Sequence, residues 1–272
     1  MRDYARIALQ LATTQNNYPA VSLSLHGTAI TAEKLMSTQA VRRYRYYDLL
    51  LVAFVTVLLC SNLIGAGKAA VITLPVLGEV TYGAGILFFP ISYLFGDILT
   101  EVYGYAHDRR AVWAGFTALA FAAVMSLVVV SLTPAGGDYM NNYQQGLETV
   151  FGNTWRIVIA SITAFWAGSL ANGYVMAKMK IWSNGKHLWL RMIGSTAVGE
   201  ALDSSLFYMM AFYAIWPTEQ VISVAIAQYF LKTGWEVIMT PVTYRIVNWL
   251  KRQEEEDYMD IGTDFTPFRV RV

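Results

Sequence analysis

Long apolar runs alternate with short polar segments along most of this chain. Each run has about 19 to 27 residues, enough to cross roughly 30 Å of hydrocarbon as an α-helix. The pattern predicts an all-α integral membrane protein, a bundle of six transmembrane helices. The predicted spans lie at about residues 48–66, 83–104, 112–133, 155–178, 191–215 and 221–247.

Lys and Arg residues are concentrated in alternate polar segments. They precede span 1, separate spans 2 and 3 and spans 4 and 5, and follow span 6. Because short cytoplasmic loops carry an excess of these residues, the alternation predicts that both termini are cytoplasmic. The residues that set this orientation are Arg42, Arg43, Arg45, Arg109, Arg110, Lys178, Lys180, Lys186, Arg191, Lys251 and Arg252.

The two ends of the chain differ from its apolar centre. Residues 1–44 are mixed and polar and contain no apolar run typical of a signal peptide, so span 1 is predicted to be retained. Residues 251–272 are predicted to be a charged, solvated cytoplasmic tail. The domain organisation is thus a polar N-terminal cytoplasmic extension over 1–44, a six-helix transmembrane domain over 45–250, and the tail.

Composition excludes several classes of function. The chain is 56% hydrophobic and 14% charged, with a net charge of +1, so direct binding of nucleic acid is not expected. Cys60 is the single cysteine, which leaves no intrachain disulfide, and no spacing of Cys or His suggests a metal site. No cofactor is predicted.

Polar residues recur at helical spacing inside three of the apolar spans. Such residues normally face a protein interior or a wet cavity, because an Asp at the centre of a lipid-facing helix costs about 2.5 to 3.5 kcal/mol. Steps of three and four residues place each set on one helical face. The sets are Pro90, Tyr93, Asp97 and Glu101 in span 2; Thr196, Glu200, Asp203 and Phe207 in span 5; and Gln228, Lys232 and Glu236 in span 6.

Depth in the membrane predicts which of these residues meet. At 1.5 Å per residue, Asp97, Asp203 and Lys232 lie at a common level, about 11 to 13 residues from the outer ends of their spans. Glu200 and Glu236 lie a turn deeper. Lys232 and Glu236 also have the spacing of a local salt bridge within one helix.

Glu101 is the deepest of these carboxylates. Its position, close to the cytoplasmic end of span 2, predicts that Arg109 or Arg110 reaches it. Glu101, Glu236 and the two arginines are therefore candidates for ion coupling or for purely structural charge.

The spans contain more acids than bases. Five carboxylates against Lys232 give a net charge of minus four when all are ionised, which is prohibitive to bury unless protons, arginines or a cationic, donor-rich ligand offset it. The alternative is that the charges pair with one another and only lock helices together. Further cavity candidates are Asn62 in span 1 and Trp166 and Asn172 in span 4, each of which could equally serve helix packing.

Three segments together resemble the queuosine precursor transporter family, also described as vitamin uptake transporters. They are "PISYLFGDILTEVYGYAHDRR", "RMIGSTAVGEALDSSLF" and "LKTGWEVIMTPVTYRIVNWLK", and the resemblance covers about residues 45–252. It implies a multi-pass protein of the bacterial inner membrane, similar in style to the substrate-binding components of energy-coupling-factor transporters, that imports 7-deazaguanines such as preQ0 or preQ1. It also implies that the chain is not an enzyme.

The residues fit such a ligand. A 7-deazaguanine presents a ring N–H beside an exocyclic NH2, a pair that one carboxylate accepts bidentately, and Asp97 or Asp203 is the predicted acceptor. Aromatic rings could stack on the flat base. The predicted substrate-binding residues are Asn62, Tyr93, Asp97, Trp166, Asn172, Thr196, Glu200, Asp203, Phe207 and Lys232.

Other functions remain open from the sequence. The constellation would also suit another vitamin or nucleobase. An intramembrane aspartyl-type enzyme could use Asp97 with Asp203, although the usual motifs are absent, and a scaffold or receptor would not need the excess charge. No nucleotide-binding loop is present, so proton coupling, an energising partner subunit and facilitated diffusion are all compatible, as is a homodimer.

Overall fold

The computed structural model describes residues 23–25, 28–30, 44–65, 69–74, 78–83, 87–152 and 155–269. The chain divides into two units, Met1–Tyr44 and Arg45–Val272. The described part of the first unit is a short antiparallel hairpin, in which strand β1 (Leu23–Leu25) pairs with strand β2 (Thr28–Ile30).

The second unit is a helical bundle, and a helix lies at each of the six predicted positions. Helix α1 is continued by a π-helical turn, Ser61–Gly65. Among the described residues the all-α class is confirmed for this unit, apart from one short hairpin. The helices are α1 (Tyr47–Cys60), α2 (Phe89–Tyr103), α3 (Tyr105–Ser131), α4 (Asp138–Phe151), α5 (Trp155–Trp182), α6 (Leu188–Phe212) and α7 (Thr218–Glu254).

Among the residues that the structure describes, three segments are long and apolar enough to cross a membrane by length and composition: Tyr47–Ile64, Tyr105–Ser131 and Arg156–Trp182. Helix α2 has 15 residues, a rise of about 22 Å, which is shorter than the predicted span 83–104. Helices α6 and α7 are long, but their apolar runs are interrupted by charged residues.

One β-hairpin and one helix of the second unit have no counterpart in the sequence-based prediction. Strands β3 (Ala69–Leu74) and β4 (Gly78–Gly83) pair antiparallel between α1 and α2, and both are rich in β-branched residues, which favour strands. Helix α4 lies between α3 and α5 and has no buried residue. Both elements are too short or too polar to register as apolar spans.

Helices α5 and α6 approach each other closely through two glycines. A Cβ on Gly168 would lie 2.8 Å from the Cβ of Asp203 and 2.9 Å from the carbonyl oxygen of Gly199. A Cβ on Gly199 would lie 2.9 Å from the Cβ of Asn172. Because real Cβ contacts are longer, this seam requires glycine at both positions, and it brings Asp203 and Asn172 into the same layer.

Part of the segment after α7, which was predicted to be a solvated tail, packs against the helical bundle. Asp260 is buried and accepts hydrogen bonds from the backbone N–H of Tyr105 at 3.1 and 3.2 Å, which caps the start of α3. The Tyr258 ring lies against Gly104, whose φ of 86° and lack of a Cβ both suit glycine. Lys178 lies 3.8 Å from the ring centre of Phe265. These contacts need tertiary pairing, which the local charge pattern does not reveal.

The last residue of α7 also contacts the beginning of α1. The Glu254 carboxylate accepts hydrogen bonds from the backbone N–H groups of Arg45, at 2.9 Å, and Tyr46, at 2.7 Å. It accepts a third from the hydroxyl of Tyr103 at 2.9 Å. One carboxylate therefore joins α7 to the entry of α1 and the end of α2.

Candidate functional site

A charged cluster lies inside the bundle, and its first half consists of Lys232, Glu200 and Asp203. Lys232 Nζ lies 2.5 Å from Asp203 Oδ2 and 3.1 Å from Glu200 Oε2. The predicted meeting of Lys232 and Asp203 is confirmed. Both carboxylates come from α6, whereas the lysine comes from α7. These ion pairs therefore join two helices, whereas the spacing along α7 had suggested a local pair with Glu236.

The second half of the cluster consists of Asp97, Asn172 and Glu236. The Asn172 side-chain amide donates from Nδ2 to Asp97 Oδ1 at 2.8 Å, and the Glu236 carboxyl lies within hydrogen-bonding reach of the Asp97 carboxyl. All three side chains are buried, with Asp97 0% exposed. Helices α2, α5 and α7 thus each contribute one polar group to this half of the cluster.

Tyr93 lies between the two halves. It precedes Asp97 by one helical turn on α2, and its hydroxyl lies beside Glu200. A Cβ on Gly168 would come within 3.2 Å of the same hydroxyl, so the small residue on α5 makes room for the phenol. Thr196, buried one turn before Glu200, completes the row on α6.

Several polar atoms of this cluster have no hydrogen-bond partner within the described ranges. Three of these atoms are of the acceptor type: Asp97 Oδ2, Asn172 Oδ1 and Glu236 Oε1. The hydroxyls of Thr196 and Ser204 also have no partner there. Buried polar groups are nearly always paired in native proteins, so acceptors left over at one place indicate a site for hydrogen-bond donors.

Glu101 lies in a different environment, one turn after Asp97. Its carboxylate meets three cations: Arg191 Nη2 at 2.8 Å, Lys251 Nζ at 2.6 Å and Lys180 Nζ at 3.3 Å. Asp257 joins the same group, at 2.5 Å from Lys180 and 2.8 Å from Lys251. This five-residue group, the Glu101 cluster, ties α2, α5, α6, α7 and the segment after α7 together.

The prediction that Arg109 or Arg110 reaches Glu101 is wrong. Arg109 is buried, but its Nη1 donates to the backbone carbonyls of Asp264, at 2.6 Å, and Thr266, at 2.7 Å. Arg110 is exposed. The folded C-terminal segment provides these carbonyl acceptors for Arg109, a contact that sequence distance conceals.

Three predicted site residues make their contacts elsewhere. Asn62 accepts a hydrogen bond from Ser161 at 3.0 Å beside a cavity of about 100 Å³, roughly 16 Å along α5 from the level of Asn172. The ring of Trp166 packs against Trp113 and Phe268 at centroid distances of 5.7 and 5.8 Å. Phe207 packs against its neighbours Tyr208 and Phe212. The described contacts of these residues suit helix packing.

The cations around Glu101 were visible in the sequence only as markers of orientation. Helical spacing could have identified two of them, because Lys180 follows Asn172 by eight residues on one face of α5, and Lys251 continues the buried face of α7 that contains Glu236. Asp108 was also missed. It is buried beside Gly173, whose added Cβ would lie 2.1 Å from Asp108 Oδ2.

Two carboxyl groups of the C-terminal segment have shifted acidities. Burial opposes ionisation of Asp257, but the hydrogen bonds and charges of Lys180 and Lys251 outweigh it and hold the pKa of Asp257 below its ordinary value. Burial raises the pKa of Asp260, although hydrogen bonds from Thr263 and the Tyr105 backbone oppose it. The segment therefore contains one carboxylate that favours the charged form and one that disfavours it.

An apolar helical bundle with carboxylates, a lysine and an amide in its interior is typical of a membrane protein with an internal polar site. A family model described as "Putative vitamin uptake transporter" matches residues 83–246. A "Probable queuosine precursor transporter" from Bacillus subtilis (strain 168) is 33% identical over 179 residues, which are 65% of this chain and 74% of the relative. No solved structure matches. The chain belongs to the vitamin uptake transporter family and is a transporter-type membrane protein.

Proposed function

We propose that this chain imports a 7-deazaguanine precursor of queuosine, such as preQ0 or preQ1, across the bacterial inner membrane. The observation that carries the proposal is the surplus of buried acceptors at Asp97, Asn172 and Glu236. A 7-deazaguanine offers a ring N–H beside an exocyclic NH2, which complements a carboxylate. The name of the Bacillus subtilis relative supports the same class of substrate.

The base is held between the two halves of the cluster. Asp97 accepts the paired donors of the base, and Asn172, already oriented by its bond to Asp97, accepts a further N–H through Oδ1. Tyr93 provides an aromatic ring next to both halves. The ion pairs of Lys232 with Glu200 and Asp203 hold α6 and α7 against the ligand.

The proposal extends to topology. Six helices, α1, α2, α3, α5, α6 and α7, cross the membrane, and both termini are cytoplasmic. The Lys and Arg residues at one end of the bundle support this orientation. The Glu101 cluster then lies at the cytoplasmic end of the bundle, where Lys180 and Lys251 are close to the C-terminal ends of their helices.

A second substrate class has specific support from the same family description, which names vitamin uptake. Another flat vitamin or nucleobase with adjacent N–H donors would satisfy the same acceptors. Competition assays separate the two, because a true substrate reduces uptake of labelled preQ1 at micromolar concentration and an unrelated vitamin does not.

The experiment uses a bacterium that lacks queuosine synthesis and endogenous import. Expression of the chain with preQ0 or preQ1 in the medium should restore queuosine in tRNA, and Asp97→Asn should abolish the rescue at normal membrane abundance. The introduced amide oxygen still accepts from Asn172 in that variant, so this contact is preserved. No rescue by the wild-type chain, with membrane expression verified, would reject these substrates.

A further inference from the structure

We infer that the paired carboxyl groups of Asp97 and Glu236 hold a proton that is imported together with the substrate. The inference rests on the proposed transport function and adds its energy source. The two groups come from α2 and α7 and lie within hydrogen-bonding reach of each other. Neither Asp97 Oδ2 nor Glu236 Oε1 has a donor in the part of the chain that the structure describes.

Two ionised carboxylates cannot hydrogen-bond to each other, since both are acceptors only. A proton on one of them converts the contact into a hydrogen bond and removes the repulsion between like charges. The pair then titrates as a unit with a single shared proton. Asn172 supports this arrangement, because its amide donates to Asp97 Oδ1. That hydrogen bond favours the ionised form of Asp97, so the shared proton is bound to Glu236.

The charged groups around the pair do not replace that proton. Lys232 is one turn from Glu236 on α7 but binds Asp203 and Glu200. One turn after Asp97 on α2, three cations bind Glu101. Among the described residues, the other groups near the pair are neutral or acidic: Tyr93 and Glu101 from α2, Asp108 from α3, Asn172 from α5 and Glu200 from α6, with Asp203 beside Tyr93.

The charge balance of the cluster points in the same direction. Asp97, Glu236, Glu200 and Asp203 against Lys232 give a net charge of minus three when all are ionised. Such an excess is prohibitive inside a bundle, and the α6 carboxylates already have their lysine. One proton on the Asp97–Glu236 pair reduces this excess at a place where no ion pair with a described cation does so.

The proposed coupling step follows from the ligand chemistry. When the substrate's N–H groups donate to Asp97, the shared proton stays on Glu236 as a complete O–H bond, and only hydrogen bonds are exchanged. Loss of the proton alone would restore the repulsion between the two carboxylates beside the substrate, so the substrate is bound together with the proton. The carrier therefore moves both in one step, as a symporter.

The test uses the purified full-length protein in liposomes, with labelled preQ1 as the probe. Counterflow into liposomes preloaded with unlabelled preQ1 needs no gradient and tests the proposed transport alone. With an inward proton gradient of one pH unit, one-to-one symport predicts about tenfold accumulation, which a protonophore abolishes. A sodium gradient at constant pH should have no effect.

The matched variants are Glu236→Gln and Glu219→Gln. Both are on α7, but Glu219 is exposed at its start. The amide introduced by Glu236→Gln donates permanently to Asp97 and cannot titrate, so accumulation should fall from about tenfold to no gradient at all, while Glu219→Gln should behave as wild type.

Three results would overturn the inference. Counterflow without any effect of pH on accumulation would reject the coupling but leave the transport function standing, and so would accumulation driven by sodium. Absence of counterflow would reject preQ1 as substrate and the inference with it. If Glu236→Gln does not fold, the gradient experiment on the wild-type protein decides by itself.

Discussion

Asp97 and Glu101 are one helical turn apart on α2, and both are 0% exposed, yet the protein surrounds them differently. Glu101 contacts three cations, whereas Asp97 contacts an amide and a second carboxyl group. Burial alone therefore does not predict which carboxylate is available to a ligand or a proton. The bound partners are more informative, because a carboxylate surrounded by cations has less capacity left for either.

The difference also indicates which substitutions each region can tolerate. The Glu101 cluster joins five segments through charges, so loss of its central anion leaves cations buried without compensation. The Asp97 region depends on hydrogen bonds that an amide can reproduce. Substitutions that remove charge but keep shape should thus separate stability from transport.

The largest effect is expected for Glu101→Gln. It leaves Lys180, Arg191 and Lys251 with Asp257 as the one anion among the members of the Glu101 cluster, and breaking a buried ion pair costs on the order of 3 to 5 kcal/mol. Membrane abundance and the thermal unfolding temperature of the purified protein should both fall sharply. A variant with normal abundance and stability would show that the three cations find other partners. It would contradict the proposed difference between a structural Glu101 and a ligand-binding Asp97.

A smaller effect on stability is expected for Asp97→Asn, the matched acid-to-amide change one turn away. The introduced amide still accepts from Asn172 and can donate to Glu236, so the unfolding free energy should change by no more than about 1 kcal/mol. Uptake should nevertheless fall at least about tenfold, because the carboxylate that binds the paired donors is lost. Stability loss equal to that of Glu101→Gln would make both carboxylates structural.

The smallest effect is expected for Asp257→Asn, at the edge of the Glu101 cluster. Its side chain is 57% exposed, and exposed ion pairs contribute about 0 to 1 kcal/mol. Because the pKa of Asp257 is lowered in the folded state, its contribution is fully present above the ordinary value of about 3.9 and is lost as pH falls through the lowered pKa.

The measurement for Asp257→Asn is the unfolding temperature of both proteins between about pH 3 and pH 8, a range that includes the ordinary pKa of an aspartate. The difference between wild type and variant should be constant over the upper part of this range and shrink at the acidic end. Asp260→Asn is the control with opposite sign, because burial raises the pKa of Asp260 and its neutral form is favoured as pH falls. A difference that grows on acidification would contradict the assignment for Asp257.

The local sequence pattern predicted the helices but not all of the side-chain contacts between them. Steps of three and four residues placed Asp97, Glu200, Asp203 and Lys232 on interior faces, and depth counting paired Lys232 with Asp203. The same reasoning assigned Glu101 to Arg109 or Arg110, because it ranked cations by distance along the chain. The actual partners are 79 to 150 residues away, where only the tertiary arrangement of α5, α6 and α7 brings them.

The C-terminal segment shows the same limit. Its charges predict solvation, and nothing local reveals that Asp260 caps α3 or that the Arg109 guanidinium binds backbone carbonyls after α7. The local pattern also did not reveal the ring contacts of two predicted substrate-binding residues. Trp166 packs against Phe268 and Phe207 against Phe212 in the described structure, and their contact with a ligand stays a prediction.

The contacts of Glu254 and Asp260 have a consequence for biosynthesis. The N–H groups at the entry of α1 and at the start of α3 bind these two carboxylates, and a ribosome makes both only after every helix of the bundle. Helix α1 therefore spends almost the whole of translation with the N–H groups at its entry bound to water. Completion of this end of the protein is a late event, and it makes the final contacts of α1 depend on the successful synthesis of α7.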